Sequence, residues 1–325
     1  MTPQQIFSGL KPVTLACLTL FEPFYQERAK HYIYPRYMQS VVYMTSTGQC
    51  FYNIIRAEHG QVLVILKRTL IFGKIGVQMP VAPISLVGSA SDEREVLRVA
   101  LGVGVSARVT SEDIRRYRIP TKLLSDGSGP FVPMGINEII YNARSGKEMQ
   151  GSGYRKYRYQ VNRILREPTT ELRLGKNPDV APLVRAWEDR YLRTHGEKAN
   201  QTKLWEVICQ AISPDPNAPI TCQSLYVGGV CQAVSVLERI SEKGYIIVFR
   251  IRNFQSRLND VLTAAHWVDC EQAGGGYKER CYLNIGHADS DGLIAQKESL
   301  KPCHHQKVWT LKTTKTNTNL KQYFK

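Results

Sequence analysis

The sequence predicts an α/β (α+β) chain: a mixed, mostly antiparallel sheet flanked by helices, arranged as two units in tandem. Three observations predict it. Short Val/Ile/Leu-rich runs alternate with helix signals over the first third. Past a turn-dense stretch near residue 130, amphipathic helical spacing recurs three times. From residue 225 the hydrophobic period changes from helical to alternating. A length of 325 residues accommodates two domains of ordinary size.

Residues 50–56 and 61–66 read as strands around the turn Glu58-His59-Gly60, and 70–79 reads as a third strand ending at Pro80. Asp92 to Leu101 is a short helix and Val103 to Val109 a strand. Ser111-Glu-Asp supplies an N-cap and an acidic first turn for the next helix. Between Leu124 and Gly135 lies Ser-Asp-Gly-Ser-Gly-Pro-Phe-Val-Pro, dense in turn formers, which marks the domain boundary. The division expected is a unit at 1–125, a linker at 126–136, a second unit at 137–312 and a basic tail at 313–325.

In Tyr154 to Arg166, Tyr154, Tyr157, Val161, Ile164 and Leu165 recur at helical spacing and leave arginines around the remaining surface. Val180 to Thr194 repeats the pattern with Leu183, Val184, Trp187 and Tyr191, and Leu204 to Ile212 is a shorter helix. Leu225 to Arg239, turning at Gly228-Gly229, forms a hairpin, and Tyr245 to Arg252 is a further antiparallel strand. Asn259 to Gln272 is an apolar helix closed by Gly274-Gly275-Gly276, and Cys281 to Ile285 is a strand.

Forty-three Lys+Arg against 28 Asp+Glu leave a net charge of +15, which favours polyanionic partners, nucleic acid first. The eight cysteines are scattered, with no pair separated by two residues as zinc ribbons and redox motifs require, and read as reduced thiols of a cytoplasmic protein. Val13 to Phe21 is too short to span a bilayer, and no transmembrane segment or exported leader is expected.

Two local patterns are more specific. One is Gly151-Ser-Gly-Tyr-Arg-Lys-Tyr-Arg-Tyr-Gln-Val-Asn-Arg; the other is Leu283-Asn-Ile-Gly-His-Ala-Asp-Ser-Asp-Gly-Leu-Ile-Ala-Gln-Lys-Glu-Ser-Leu-Lys-Pro. Together with the element order, they resemble the GNAT-like acyltransferase superfamily, in particular the C-terminal domain of lysyl-phosphatidylglycerol synthases and its soluble relatives. The resemblance covers about 135 to 312, with 1–125 as a degenerate first copy. It implies transfer of an acyl or aminoacyl group. Acetyl-CoA-dependent members carry Arg/Gln-x-x-Gly-x-Gly/Ala at a helix entrance, where free N–H groups face pyrophosphate. Here Asn253-Phe-Gln-Ser-Arg-Leu-Asn-Asp has no glycine, and Gln272 with its glycines follows a helix instead of opening one. The implied co-substrate is therefore aminoacyl-tRNA, as in the lysyl-phosphatidylglycerol and Fem-type transferases, with acyl-CoA the alternative and no permanently bound cofactor.

Candidate residues fall into three sets. Arg144, Lys147, Tyr154, Arg155, Lys156, Arg158, Asn162 and Arg163 can pair phosphates while tyrosines stack on bases; the bland alternative is a solvated basic face. Arg250, Arg252 and Asn253 end the strand beside which the resembled fold admits its acyl group, so they are expected to bind substrate. Asn284, His287, Asp289, Asp291, Lys297 and Lys301 bring amide, imidazole, carboxylate and ammonium groups together. A carboxylate can hold an α-ammonium, a cation can neutralise an oxyanion and an imidazole can move a proton, so these are the catalytic candidates; the alternative is an ordinary Asp-x-Asp-Gly turn. Cys303-His304-His305 lacks a second ligand pair, and no metal is expected. The function expected is aminoacyl transfer from aminoacyl-tRNA to an amine or hydroxyl. The alternatives are an acyltransferase that modifies a base in DNA or RNA, and a non-catalytic, basic nucleic-acid-binding module.

Overall fold

The computed structural model describes residues 1–71, 74–119, 131–196, 199–215, 217–258, 260–274, 281–288 and 291–311. The chain divides into two compact units, one made of Met1–Glu138 with the segment from Gln306 on, the other of Ile139–His305. No helix among the described residues is long and apolar enough to cross a membrane.

The first unit runs α1 (Pro3–Phe7), β1 (Lys11–Pro12), α2 (Cys17–Ala29), α3 (Val41–Thr47), β2 (Cys50–Arg56), β3 (Gln61–Ile71), β4 (Lys74–Met79), β5 (Ile84–Ser85), α4 (Ala90–Gly102), β6 (Ser106–Thr110) and α5 (Ser111–Arg116). β2 and β3 form an antiparallel hairpin from Cys50↔Lys67 to Arg56↔Gln61, while β4 and β6 pair parallel, the arrangement that needs α4 as a crossover. Helix starts are set locally. The Ser89 side chain accepts from Asp92 N at α4, and Thr110 and Asp113 cap α5 reciprocally. Strand alternation puts Val62, Val64, Leu66, Val77, Ala107 and Val109 in one core with Ile6, Phe7, Val96 and Ala100 of α1 and α4.

On the other side of this unit, a buried charge cluster ties the α2–α3 connection to α5. Asp113, fully buried, accepts from Arg28 Nη2 and Tyr32 Oη, both at 2.8 Å, and lies 3.5 Å from Arg36 Nη1. Arg36 Nε in turn faces Glu138 at 3.4 Å, and the Arg28 guanidinium lies 3.6 Å from the Tyr32 ring centre.

The second unit runs β7 (Phe131–Asn142), α6 (Ala143–Glu148), α7 (Arg155–Leu165), β8 (Thr170–Leu174), α8 (Val180–His195), α9 (Gln201–Ala211), β9 (Ile220–Val227), β10 (Val230–Ser241), β11 (Gly244–Arg252), α10 (Val261–Gly274), β12 (Tyr282–Asn284) and α11 (Asp291–Ser299). Its strands lie in the order β7-β12-β11-β10-β9-β8, antiparallel except for β11 with β12. Ala143, Tyr157, Val161, Cys270 and Ala273 from α6, α7 and α10 pack on Leu237, Tyr245, Ile247 and Leu283 of the sheet, and Trp205 of α9 meets Phe249 at 5.6 Å. α6 and α10 approach closely at Gly146, where a Cβ would stand 2.5 Å from Cys270 Sγ.

Several expectations change. Residues 131–136, expected in a linker, begin β7, so turn formers in this stretch do not end the chain's extended run. The last strand among the described residues, β13 (His304–Leu311), pairs antiparallel with β6 from Val308↔Thr110 to Leu311↔Ala107. The chain therefore returns to the first unit instead of ending in the second, which moves the expected end of the second unit from 312 back to His305. The proposed strand 70–79 is β3 followed by β4, with 72–73 outside the described residues; most of the expected turn segment and the tail 313–325 also lie outside them. Trp187 and Tyr191 are half-exposed and stack on each other at 5.1 Å, with His195 at 4.1 Å beyond, a helix-surface ladder at four-residue spacing.

The charge cluster generates a stability prediction. Burial raises the Asp113 pKa, but Arg28 and Arg36 outweigh it and hold the carboxyl below its usual range. Asp113→Ala leaves both guanidinium groups without this partner and should cost about 3–5 kcal/mol in urea denaturation. In the parent chain this contribution is present above about pH 4 and is lost as pH falls below it, since protons then bind the unfolded chain first. A loss under about 1 kcal/mol would contradict a load carried by this carboxylate.

Candidate active site

The second unit's sheet opens at one place. β11 and β12 pair only from Gly244↔Tyr282 to Ile246↔Asn284; there β12 ends while β11 continues to Arg252. Beside this divergence β11 carries a bulge. Val236 faces Phe249 while Leu237 faces Ile247, so Val248 is the extra residue. An inserted residue reverses the alternation: Tyr245 and Ile247 point into the core under α10, and beyond the bulge Arg250 takes that side.

Arg250 consequently points inward. It pairs with Asp269 of α10, its Nε donates to Ser235 Oγ (3.2 Å), and its Nη2 lies 3.3 Å from His266 Nδ1. Ser235 Oγ donates to Asp269 Oδ2 at 2.9 Å. His266, fully buried, has its ring 4.4 Å from that of Tyr141, and its Nε2 lies 3.6 Å from Cys270 Sγ. Burial and the neighbouring Arg250 push the His266 pKa well down, so the imidazole is neutral. A neutral ring whose Nδ1 faces an arginine N–H accepts there and carries its proton on Nε2, a tautomer assigned from the network. Burial pushes the Asp269 pKa up, with Arg250 and Ser235 opposing. Asp269 Oδ1 and both Gln223 amide atoms lack partners among the described residues, beside a space of about 10 Å³, the size of a single water.

The predicted catalytic residues are not all brought to this opening. Asn284 is buried, and its Oδ1 accepts from Gly286 N (2.8 Å), shaping the turn after β12. Lys297 is also buried: its Nζ donates to the carbonyls of Ile285 (2.9 Å) and His287 (2.5 Å), while its own carbonyl accepts from Tyr141 Oη (2.8 Å). Its ammonium thus holds the β12–α11 loop, which corrects the expectation of a cation offered to an oxyanion. His287 and Asp291 are exposed, Asp291 as the first residue of α11, and Asp289 lies outside the described residues. Lys301, at φ 63°, lies elsewhere. It lines a pocket of about 320 Å³ with Asn142, Ser145, Tyr154, Glu298, Pro302, Cys303 and His305, in which His305 Nε2 meets Glu298 at 2.6 Å.

Of the predicted substrate residues, Asn253 closes a turn: its Oδ1 accepts from Gln255 N (3.0 Å) and its N donates to Gln232 O (2.7 Å). Arg252 lies over Phe254 at 5.1 Å, and Arg190 reaches the same ring at 4.7 Å.

The basic segment sorts by partner. α7 buries Tyr157, Val161 and Ile164, and Tyr154 meets Tyr157 edge-on at 5.8 Å. Arg144 pairs with Glu148 (2.7 Å), Lys147 with Glu271 (3.5 Å) and Arg163 with Asp260 (2.7 Å). Arg158 turns inward onto the carbonyls of Met149 and Gly151, and Asn162 is half-buried. Arg155 and Lys156 are exposed and have no acidic partner among the described residues. Beside them, a Cβ at Gly151 (φ 82°) or Gly153 would meet nothing within 4 Å, so the backbone there is open to approach.

The start of α10 bears on the donor. Asp260 O accepts from the N–H groups of Thr263 and Ala264, while its carboxylate takes Gln160 Nε2 (2.9 Å) and Arg163. A carboxylate already occupies this helix start, where an incoming pyrophosphate would meet like charge.

Sequence reasoning missed Ser235, His266 and Asp269. The available signal was His266 and Asp269 three residues apart within an otherwise apolar helix, a spacing that puts both on one face.

No protein-family model and no curated protein sequence matches the chain. Solved structures match over almost its whole length. A conserved protein of unknown function from Bacteroides thetaiotaomicron has a TM-score of 0.68 at 15% identity, covering 95% of this chain and 99% of that one. FemX has a TM-score of 0.62 at 8% identity, covering 96% and 98%. L-PGS from Bacillus licheniformis has a TM-score of 0.60 at 14% identity, covering 94% of each. The fold is the one that FemX and L-PGS share, the lysyl-phosphatidylglycerol synthase and Fem-type likeness expected from the sequence motifs, and the likeness holds at the level of fold.

The buried imidazole makes a pH prediction. Unfolded His266 titrates near pH 6.5, whereas the folded ring stays neutral well below that. As pH falls below about 6.5, protons bind the unfolded chain first, so this contribution, intact above that pH, is lost at up to about 1.4 kcal/mol per unit. His266→Gln should flatten this part of the profile relative to the parent when urea midpoints are compared from about pH 7 to 5. Parallel profiles would mean that the folded ring binds its proton normally.

Proposed function

We propose that the chain is a GNAT-like acyl- or aminoacyltransferase that takes its acyl group from aminoacyl-tRNA and passes it to an amine or hydroxyl. The observation that carries this reading is the divergence of β11 and β12 over a charged, water-poor layer, in a fold shared with FemX and L-PGS. A group inserted there meets an ordered polar floor without solvent reorganisation, the condition under which fixed dipoles act most strongly on a developing charge.

The donor assignment rests on charge. Arg155 and Lys156 flank the open backbone at Gly151 and Gly153, a surface suited to phosphodiester, while Asp260 at the start of α10 opposes the diphosphate of an acyl-CoA. On this reading Asp291, exposed at the rim, holds the donor α-ammonium, and His287 takes the acceptor proton. Direct attack of the acceptor on the donor ester needs no enzyme nucleophile. Lys297 and Asn284 act as positioning residues for the loop that carries His287.

Incubating the full chain with a pool of charged tRNAs, and identifying the released amino acid and co-purified nucleic acid, tests the reading directly. Arg155→Glu with Lys156→Glu should weaken tRNA binding at least tenfold and lower the slope of log affinity against log salt by about two. Arg94→Glu with Arg98→Glu, on exposed positions of α4, should change binding less than about twofold. Equal losses would mean diffuse attraction without a site. Asp291→Ala should lower turnover by about a hundredfold at unchanged melting temperature. Full turnover in that variant removes Asp291 from the mechanism, and the absence of both bound RNA and turnover in the parent overturns the function.

A further inference from the structure

The sheet of the first unit has a cationic face that the proposed transfer does not use. Val64, Leu66, Ala107 and Val109 point toward α1 and α4, so alternation puts Lys67 and Thr69 of β3 and Arg108 of β6 on the opposite side. Between them β4 presents Gly76, directly opposite Thr69. Tyr43 of α3 covers the patch, with Lys67 Nζ 5.8 Å from its ring centre, and Tyr37 packs against Tyr43 at 5.6 Å.

The charges here do not balance. Asp113 and Glu138 face Arg28 and Arg36 as ion pairs, and Glu138 also attracts Arg108 without an ion-pair contact. Lys67 and Arg108 add two more cations, half-buried, with no ion pair to any carboxylate among the described residues. Arg108 is close enough to Arg36 and to Lys67 for mutual repulsion. Arg108 Nε, Arg36 Nη2 and Thr69 Oγ1 are buried without a hydrogen-bond partner among the described residues. Half-buried like charges with unmet donors are costly unless an anion completes them.

We propose that this face binds a phosphate ester, with Lys67 and Arg108 as its charge partners and Arg36 Nη2 and the Thr69 hydroxyl as further donors. Two surplus cations match the charge of a phosphate monoester. Donors on three separate segments suit a tetrahedral oxyanion better than the two coplanar oxygens of a carboxylate. The Tyr37 and Tyr43 rings form the wall beside the ester's organic part. This site is independent of the transfer reading and can stand or fall without it.

Calorimetric titration and thermal unfolding of the full chain with inorganic phosphate, against chloride at matched ionic strength, test it. The parent should bind saturably and melt higher with phosphate. Lys67→Met with Arg108→Gln should weaken binding at least tenfold yet melt no lower than the parent without phosphate, because it removes two repelling charges. Lys67→Arg, which keeps the charge, should keep the binding; loss there equal to that of the double variant would count against a charge-based site. A second arm uses phosphatidylcholine vesicles with and without phosphatidic acid. Sedimentation with phosphatidic acid that depends on Lys67 and Arg108 assigns the ester to a lipid headgroup, and phosphate binding without it assigns a soluble ester. Absence of both, or binding that the double variant retains, overturns the proposal.

Discussion

Removing a guanidinium and a carboxylate from water costs several kcal/mol for each ion, and the cost is recovered only where their geometry and remaining hydrogen bonds are nearly complete. Arg250 and Asp269 meet that condition at Oδ2 alone, Oδ1 facing the water-sized space, and they meet at all because a single extra residue, Val248, rotates the end of β11 toward α10. Ser235 bridges the pair and neutral His266 closes it from the helix side. α10, β10 and β11 are thereby locked where β12 stops pairing, and the opening between β11 and β12 inherits its shape from this layer. The same layer explains how Tyr141 and Tyr157 can pack their rings around an imidazole. A charged ring at that position would add a second cation beside Arg250.

The first unit uses buried charge differently. There Asp113 serves Arg28, Tyr32, Thr110 and Arg36 at once, so one carboxylate at the start of α5 ties the end of α2 to residues 30–36, which have little regular structure of their own. Its cluster is compensated, whereas the neighbouring Lys67 and Arg108 have no ion pair of their own among the described residues, only the more distant attraction of Glu138 for Arg108. Stability accounts for the first arrangement. The second is the signature of a ligand, because folding alone gains nothing from half-buried like charges.

On the surface of the second unit, charge is selective in the same sense. Arg144, Lys147 and Arg163 are spent on acids and Arg158 on backbone carbonyls, so a segment that carries seven Lys/Arg between residues 144 and 166 offers fewer cations to a polyanion than its composition suggests. What remains is Arg166 at the far end of the segment and the adjacent pair Arg155 and Lys156, next to two glycines with open space around them. Concentration, more than total charge, separates a site from a field.

The sequence by itself determined the elements whose cause is local. The hairpin at Gly228-Gly229, the acidic first turn of α5 and the amphipathic α7 follow from turn chemistry, helix-start charge and a 3.6-residue period, all confined to neighbouring residues, although the cap of α5 is Thr110, one residue before the Ser111 expected. The two motifs that marked the fold were legible for the same reason. Only the tertiary structure decided the rest. Phe131 to Asn142 is a strand despite its turn formers, its end at Ile140 to Asn142 pairing with β12, and β13 returns to β6, a partner nearly two hundred residues earlier. Arg250 and Lys297 carry sequence patterns indistinguishable from those of exposed catalytic cations. Their direction was set by a bulge in one case and by two loop carbonyls in the other, and neither partner can be located from spacing along the chain.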